Sequence, residues 1–289
     1  MSKILVTGAT GNIGSRVVSG LLSRGQTVRA FTRSGDRARI DSRVEIANGD
    51  FNDIESLRKA MQGVSKMFLL AAGQDLVANE ANAIEAAKAS GIELIVKQSV
   101  AAAPYKATDI PSWHRAGEER IEASGLKYTF LRPSGFASNA LYWAETIKSH
   151  DTAYGALGDA AIPVIDPEDI AAVAVVALTV SGHEGKAYEL TGPQPLTTTE
   201  QVEVLSRELG RPLKYVNVPD TAMRDSMLGM GMPPKYVDAM VGLTQVLRKI
   251  GRIEPTGNVK AVLGREPRTF QQWVTANIGA FQPKQAASQ

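Results

Sequence analysis

A doubly wound α/β fold of the Rossmann type, with a parallel sheet and a smaller, mostly helical C-terminal lobe, is what this 289-residue sequence predicts. Three observations predict it. Short runs that are apolar along their whole length alternate with segments whose apolar residues recur at helical spacing, the pattern of strands buried on both faces by helices. The first run, Ile4–Thr7, leads straight into a turn with three glycines, TGATGNIG. The alternation then persists to about Pro133 before the rhythm changes.

The elements follow in order. Val17, Val18, Leu21 and Leu22 mark one face of a helix that Gly25 ends. Thr27–Phe31 reads as the second strand and Val44–Ala47 as the third. Ile54, Leu57 and Met61 share a helix face that stops at Gly63. Met67–Ala72 is the fourth strand, and Leu76, Ala81, Ile84 and Ala87 stripe a helix ending at Gly91. Glu93–Ser99 and Leu126–Leu131 are the fifth and sixth strands, with a helix between them. Beyond Pro133, residues Phe136–Ile162 carry aromatics and glycine with little strand pattern. Asp166 and Pro167 open a helix to Leu178, with proline at its first position, and Lys186–Leu190 is a seventh strand. Thr197 and Glu200 have capping-box spacing at the start of a helix that Gly210 ends, and Leu213–Val218 is a short strand. The expected organisation is a first lobe of residues 1–135 joined by 164–192, a second lobe of 136–163 and 193–281, and a disordered tail at 282–289.

Composition excludes several classes of function. The net charge is +2 and no Lys/Arg block stands out, so nucleic-acid binding has no support. There are no cysteines, which rules out disulfides, thiolate metal sites and thiol nucleophiles. His114, His150 and His183 lie far apart without metal-ligand spacing, so no metal is expected. No signal-peptide pattern precedes the first strand and no apolar run approaches bilayer length, so the expected location is cytoplasmic, away from membranes.

The glycine turn points to a phosphate. Gly8 falls where the chain must turn sharply, Gly11 where a phosphate oxygen would approach the backbone, and Gly14 one turn into the helix, where contact with the sheet must be close. Thr10, Asn12 and Ile13 complete the turn. The free N–H groups of a helix start attract an anion. The spacing is G-x-x-G-x-x-G rather than the commoner G-x-G-x-x-G, but it sits between a strand and a helix, as dinucleotide binding requires. The second strand ends in Thr32 and Arg33, where an NAD site has a carboxylate for the ribose hydroxyl. A guanidinium there suits a 2′-phosphate, so the expected cofactor is NADPH rather than NADH, with Arg37 and Arg39 as weaker helpers. Asp50 and Phe51 follow strand three beside the expected adenine pocket; Phe51 is equally explained as core.

The stretches TGATGNIG, GDFND, GLKYTFLRPSGF and EDIAAVAVVAL, followed by YELTGP, resemble the NmrA-like branch of the atypical short-chain dehydrogenase/reductases over residues 3 to about 280. The resemblance implies a Rossmann lobe with a small substrate-binding lobe, and members that reduce quinones, azo dyes or triphenylmethane dyes. The Tyr-x-x-x-Lys proton relay of typical short-chain dehydrogenases is missing: none of the seven tyrosines has a lysine four places on. At the corresponding place stands SWHRAGEERIEASG, with His114 and Glu118 on one helix face. The dye- and quinone-reducing members are similar in having a histidine and a glutamate there. His114 is the candidate proton donor with Glu118 orienting it; the alternative is that His114 caps the helix or covers the cofactor while Glu118 makes a surface pair.

Further contacts follow from strand ends, where such folds bind ligands. Ala71, Ala72 and Gly73, read as the end of strand four, leave room for the nicotinamide ribose. Ser99 ends strand five, and Pro133 and Phe136 follow strand six. Arg132 faces the same region or forms an ion pair at the sheet edge. Trp113, Phe136, Tyr142 and Trp143 are candidates to stack on a flat substrate, or form a small core between lobes. Met223, Met227, Met230 and Met232, with Gly229 and Gly231 between, make either a mobile lid in which Met227 touches substrate or a helix packed on the second lobe. Two functions remain open: an NADPH-dependent oxidoreductase acting on a small conjugated acceptor such as a quinone or dye, and a non-catalytic NADP(H)-responsive sensor with a protein partner.

Overall fold

The computed structural model describes residues 3–33 and 40–283. The chain divides into two compact units: Met1–Pro133, Pro167–Leu190 and Gly257–Arg265 form the first, and Ser134–Asp166, Thr191–Thr256 and Glu266–Gln289 the second.

The first unit is built on seven parallel strands: β1 (Lys3–Thr7), β2 (Thr27–Thr32), β3 (Glu45–Asn48), β4 (Val64–Leu69), β5 (Leu94–Gln98), β6 (Lys127–Pro133) and β8 (Lys186–Leu190). Their order across the sheet is β3-β2-β1-β4-β5-β6-β8. The chain therefore winds one way from β1 through β3 and the other way from β4 onward, so the connections after β1 and β4 part and leave a crevice at their carboxyl ends. Helices α1 (Gly14–Ser23) and α6 (Pro167–Thr179) pack on each other, while α2 (Ile54–Met61), α3 (Leu76–Ala89) and α4 (Asp109–Ser124) pack in series. One core cluster under the latter three joins Leu5, Phe31, Leu57, Met61, Met67, Ile84, Ile95, Ile121 and Phe130. Burial of such side chains contributes about 1.5–3 kcal/mol each.

Three boundaries differ from the sequence reading. Strand four ends at Leu69, so Ala71, Ala72 and Gly73 lie in the connection after it rather than at its end. The polar pair Ser65-Lys66 hides its true start, although Val64 and Lys66 are both registered with β1. The apolar stripe of α3 runs through Leu76, Glu80, Ala83, Ile84 and Ala87, not Ala81; a glutamate occupies the buried face. Lastly, Gly257–Arg265, assigned from sequence to the second lobe, belongs to the first unit. There α10 (Asn258–Leu263) packs on α6 and β8, the Asn258 amide donates to the Glu189 carbonyl at 2.9 Å, and Arg265 pairs with buried Asp169 at 2.7 Å.

The second unit is mostly helical, with α5 (Ala144–His150), α7 (Thr198–Leu209), α8 (Asp220–Gly229), α9 (Pro234–Ile250) and α11 (Phe270–Asn277). Thr197 and Glu200 close a reciprocal cap on α7. Residues 136–162 do hold a strand: β7 (Thr152–Gly155) pairs in parallel with β9 (Lys214–Asn217). Four residues reading TAYG show no usable period, and the partner lies some sixty residues away, so only pairing reveals the strand. Ile147, Leu205, Phe270, Trp273 and Phe281 anchor this unit's core, with Trp273 stacked on Phe270 at 5.8 Å.

Candidate functional site

The turn after β1 is a tight backbone cradle. Gly8 adopts φ +63°, which lets the chain reverse, and the Gly11 N–H donates to the Gly8 carbonyl at 2.9 Å. Gly14 is the first residue of α1, where the sequence reading puts it one turn into the helix. What it clears is the turn itself rather than the sheet: a Cβ there would lie 2.1 Å from the Gly8 oxygen. Ile13 occupies the N-cap position and no side chain caps the helix start. The Ser15 N–H donates to the Gly11 carbonyl at 3.0 Å, no side chain caps the rest of that end, and the helix dipole there favours an anion. The cradle stands at the crevice between β1 and β4. There the Thr7 hydroxyl accepts from the Leu70 N–H at 2.8 Å and faces the Phe68 and Leu70 carbonyls.

Arg33 follows β2 directly and is exposed. Arg37 and Arg39 lie outside the described residues. Asp50 accepts hydrogen bonds from the Asn52 amide groups at 2.8 and 2.9 Å, which shapes the turn after β3. Phe51 is half-buried, edge-to-face with Phe31 at 5.7 Å and packed on the core, so the core explanation accounts for its contacts. Past β4, Ala71 is buried, Ala72 is exposed and Gly73 turns at φ +92°. Ser99 is fully buried after β5, its N–H donating to the Leu131 carbonyl, and Pro133 closes β6.

A cluster of buried charges lies on α3, α4, β5 and β6. The side chains of Glu80, Lys97 and Glu118 are wholly inaccessible, and His114 is 9% exposed. Lys97 Nζ donates to Glu80 Oε1 at 2.7 Å and to the Gln98 carbonyl at 3.2 Å, and lies 3.3 Å from His114 Nδ1. Glu80 reaches this position because residue 117 is glycine: a Cβ there would stand 1.8 Å from Glu80 Oε2. Burial raises the Glu80 carboxyl above its ordinary value, with the Lys97 ammonium pulling against it. Glu118 is held by a fork from Arg132, at 2.9 and 2.7 Å, and by Arg115 at 3.0 Å. Its burial alone would raise the carboxyl. The hydrogen bonds from Arg132 and Arg115 hold it below the ordinary range.

This cluster corrects the expected His114–Glu118 pairing. The two share a helix face, yet both Glu118 oxygens are taken by guanidinium groups, and the partner at His114 Nδ1 is Lys97. Arg132 is the ion-pair residue. Burial first, and the Lys97 charge second, keep the His114 ring neutral well below pH 6.5. In the unfolded chain the ring takes up a proton as pH falls through 6.5; in the folded chain it does not. Stability from this group is therefore complete above that value and declines on acidification, by at most about 1.4 kcal/mol per pH unit. Urea midpoints at pH 7 and pH 5 should show this decline, and His114→Gln should flatten it.

Lys97 and Glu80 went unread in the sequence. The signal was there: a lysine inside the run ELIVKQSV, and a glutamate on the apolar stripe of α3, each impossible to bury alone.

Trp113 is half-buried on α4 of the first unit. Phe136, Tyr142, Trp143 and Met227 belong to the second. Phe136 is half-buried ahead of a 3-10 turn, Trp143 packs on the unit's core, and Tyr142 is 64% exposed. Met227 lies on α8, which packs on α9 and is tied to it by Asp220–Arg248 and Arg224–Asp238 pairs. Met223 and Met227 are half-buried, Met230 is exposed, and no residue of α8 is fully buried. Among the described residues, no group of acidic and histidine side chains is placed to hold a metal ion, and no helix is long and apolar enough to cross a membrane.

The sequence profile of the NmrA-like family matches residues 1–275. The chain belongs to the NmrA-like family. Relatives include a (4-alkanoyl-5-oxo-2,5-dihydrofuran-3-yl)methyl phosphate reductase of Streptomyces griseus, 36% identical over 97% of this chain and 100% of its own. The NAD(P)H azoreductase of Xenophilus azovorans is also 36% identical, over 96% and 99%. Among solved structures, the NADPH complex of an Escherichia coli NADPH-dependent quinone oxidoreductase superposes with a TM-score of 0.84 at 26% identity, covering 95% of this chain and 99% of that one.

Proposed function

We propose that this chain is an NADPH-dependent oxidoreductase that delivers hydride to a small conjugated acceptor such as a quinone or azo dye. The observation that carries the reading is the Gly8–Gly14 cradle: a helix start without a side-chain cap, at the sheet's topological switch point, with Gly14 pressed on the Gly8 carbonyl. The donor set fits a dinucleotide, since backbone amides would hold the pyrophosphate and Arg33 the 2′-phosphate of the ribose. When bound, the nicotinamide supplies the hydride. The names of the relatives, an azoreductase and a quinone oxidoreductase among them, support the class of acceptor. Such acceptors spread the arriving negative charge over a conjugated system and draw their proton from water, which suits a chain lacking Tyr-x-x-x-Lys. His114, the neutral imidazole of the first unit, donates a hydrogen bond to the charge that develops on the acceptor.

Loss of NADPH absorbance over a panel of quinones and azo dyes tests the activity. Turnover with NADPH, weaker with NADH, is expected. Absence of calorimetric binding by either nicotinamide coenzyme would overturn the reading. Arg33→Asp should weaken NADPH by about 1–3 kcal/mol, the worth of a charge-assisted pair, while hardly changing NADH; the ratio of the two dissociation constants measures it.

A further inference from the structure

We propose that Lys97 is the positioning residue of His114, fixing its imidazole as the tautomer with the proton on Nε2 and so making it a permanent hydrogen-bond donor rather than a titrating acid. The inference rests on the reading of His114 as the donor toward the acceptor, and adds how the fold sets its proton.

The argument is one of donors and acceptors. A lysine ammonium has three N–H bonds and no acceptor. Lys97 Nζ has three partners within reach: Glu80 Oε1 at 2.7 Å, the Gln98 carbonyl at 3.2 Å and His114 Nδ1 at 3.3 Å. The first two can only accept, so the third hydrogen points at Nδ1, and a ring nitrogen that accepts carries no proton of its own. In a neutral ring the proton is then on Nε2. The arrangement is built into three elements. Strand β5 supplies Lys97, α3 supplies Glu80 as its counter-ion, and α4 supplies both the ring and Gly117, whose missing side chain admits the Glu80 carboxylate. The other charges of the cluster do not compete for the ring. Glu118 of the same helix is occupied by Arg132 from β6 and by Arg115, and Arg115 is shared with Glu122. A ring flanked by an ammonium on one nitrogen resists a second proton, in line with its lowered affinity for one.

The consequence is chemical. A neutral imidazole donates a hydrogen bond to an oxygen or nitrogen that gains charge, without giving up its proton and without needing a pH near its own pKa. The proton consumed by the acceptor then comes from solvent.

Nitrogen-15 NMR of the histidine rings in the full-length protein tests this without turnover, so the result stands apart from whether His114 serves the reaction. The native protein is expected to show His114 as the Nε2–H tautomer, unprotonated from pH 8 down to 5.5. An Nδ1–H tautomer, or titration near the ordinary histidine value, overturns the proposal. The double variant Lys97→Met/Glu80→Gln removes both charges together and leaves no ion buried alone. In it the Nδ1 nitrogen loses its Lys97 donor, so the ring should populate both tautomers. A ring that keeps a single Nε2–H tautomer in that folded variant also overturns it.

Discussion

Lys97→Ala should cost about 3–5 kcal/mol of folding stability, the largest effect of any single substitution in the cluster. The substitution strands Glu80, whose side chain is fully inaccessible and whose second oxygen already lacks a hydrogen-bond partner. Water cannot replace the ammonium without opening the contact between α3 and α4. Since a domain of this kind has about 5–15 kcal/mol in all, the variant is expected near the edge of folding at 37 °C. Urea denaturation read by circular dichroism measures it. Glu80→Gln alone should cost less, because an amide keeps an acceptor for Lys97 and carries no charge. The pair replaced together by Met and Gln should cost well under the sum of the two, and the difference is the coupling between them. A Lys97→Ala variant as stable as the native protein would mean that the buried ion pair contributes nothing to folding.

Gly14→Ala should disable coenzyme binding through the turn's own geometry. The added methyl would lie 2.1 Å from the Gly8 oxygen and 2.6 Å from its carbon, both backbone atoms that cannot swing aside. The first turn of α1 must move, at a cost of about 1–3 kcal/mol from overpacking. Amides displaced by that movement no longer converge, so NADPH affinity should fall about tenfold to hundredfold. Gly11→Ala is the informative comparison. Its Cβ would meet only the Gly8 oxygen, at 3.2 Å, a contact a small shift relieves. If a phosphate approaches the backbone at Gly11, this variant should lose NADPH affinity while its melting temperature changes little. Calorimetry and thermal unfolding on both variants separate a turn that packs badly from a ligand that is blocked.

Much of the first unit was legible because its cues are local. Runs such as ILV within β1 and MFL within β4 are wholly apolar, and turn glycines at 8, 25, 63 and 91 adopt the positive φ that their places between elements require. The capping box at Thr197 and the proline opening α6 were equally plain, since each involves neighbours within one turn. The site was legible to the same extent. The cradle is a local turn and could be read; the partners of His114 could not. Glu80 lies 17 residues before Lys97, and His114 17 after it. No spacing rule connects the three, because they come from a helix, a strand and another helix that meet only when the sheet is covered. Glu118 illustrates the same point: helical spacing put it beside His114, and a guanidinium from β6, 14 residues on, took it away.

The sequence by itself determined the winding of the sheet, the position of the glycine turn and the absence of a tyrosine–lysine relay, since each depends on residue order and period along the chain. Tertiary structure alone decided the β7–β9 pairing, the return of Gly257–Arg265 to the first unit, and which charge each buried carboxylate meets. The physical reason is that periodicity is a property of one element. A buried charge must instead be neutralised by whichever opposite charge the packing of several elements brings within about 3 Å.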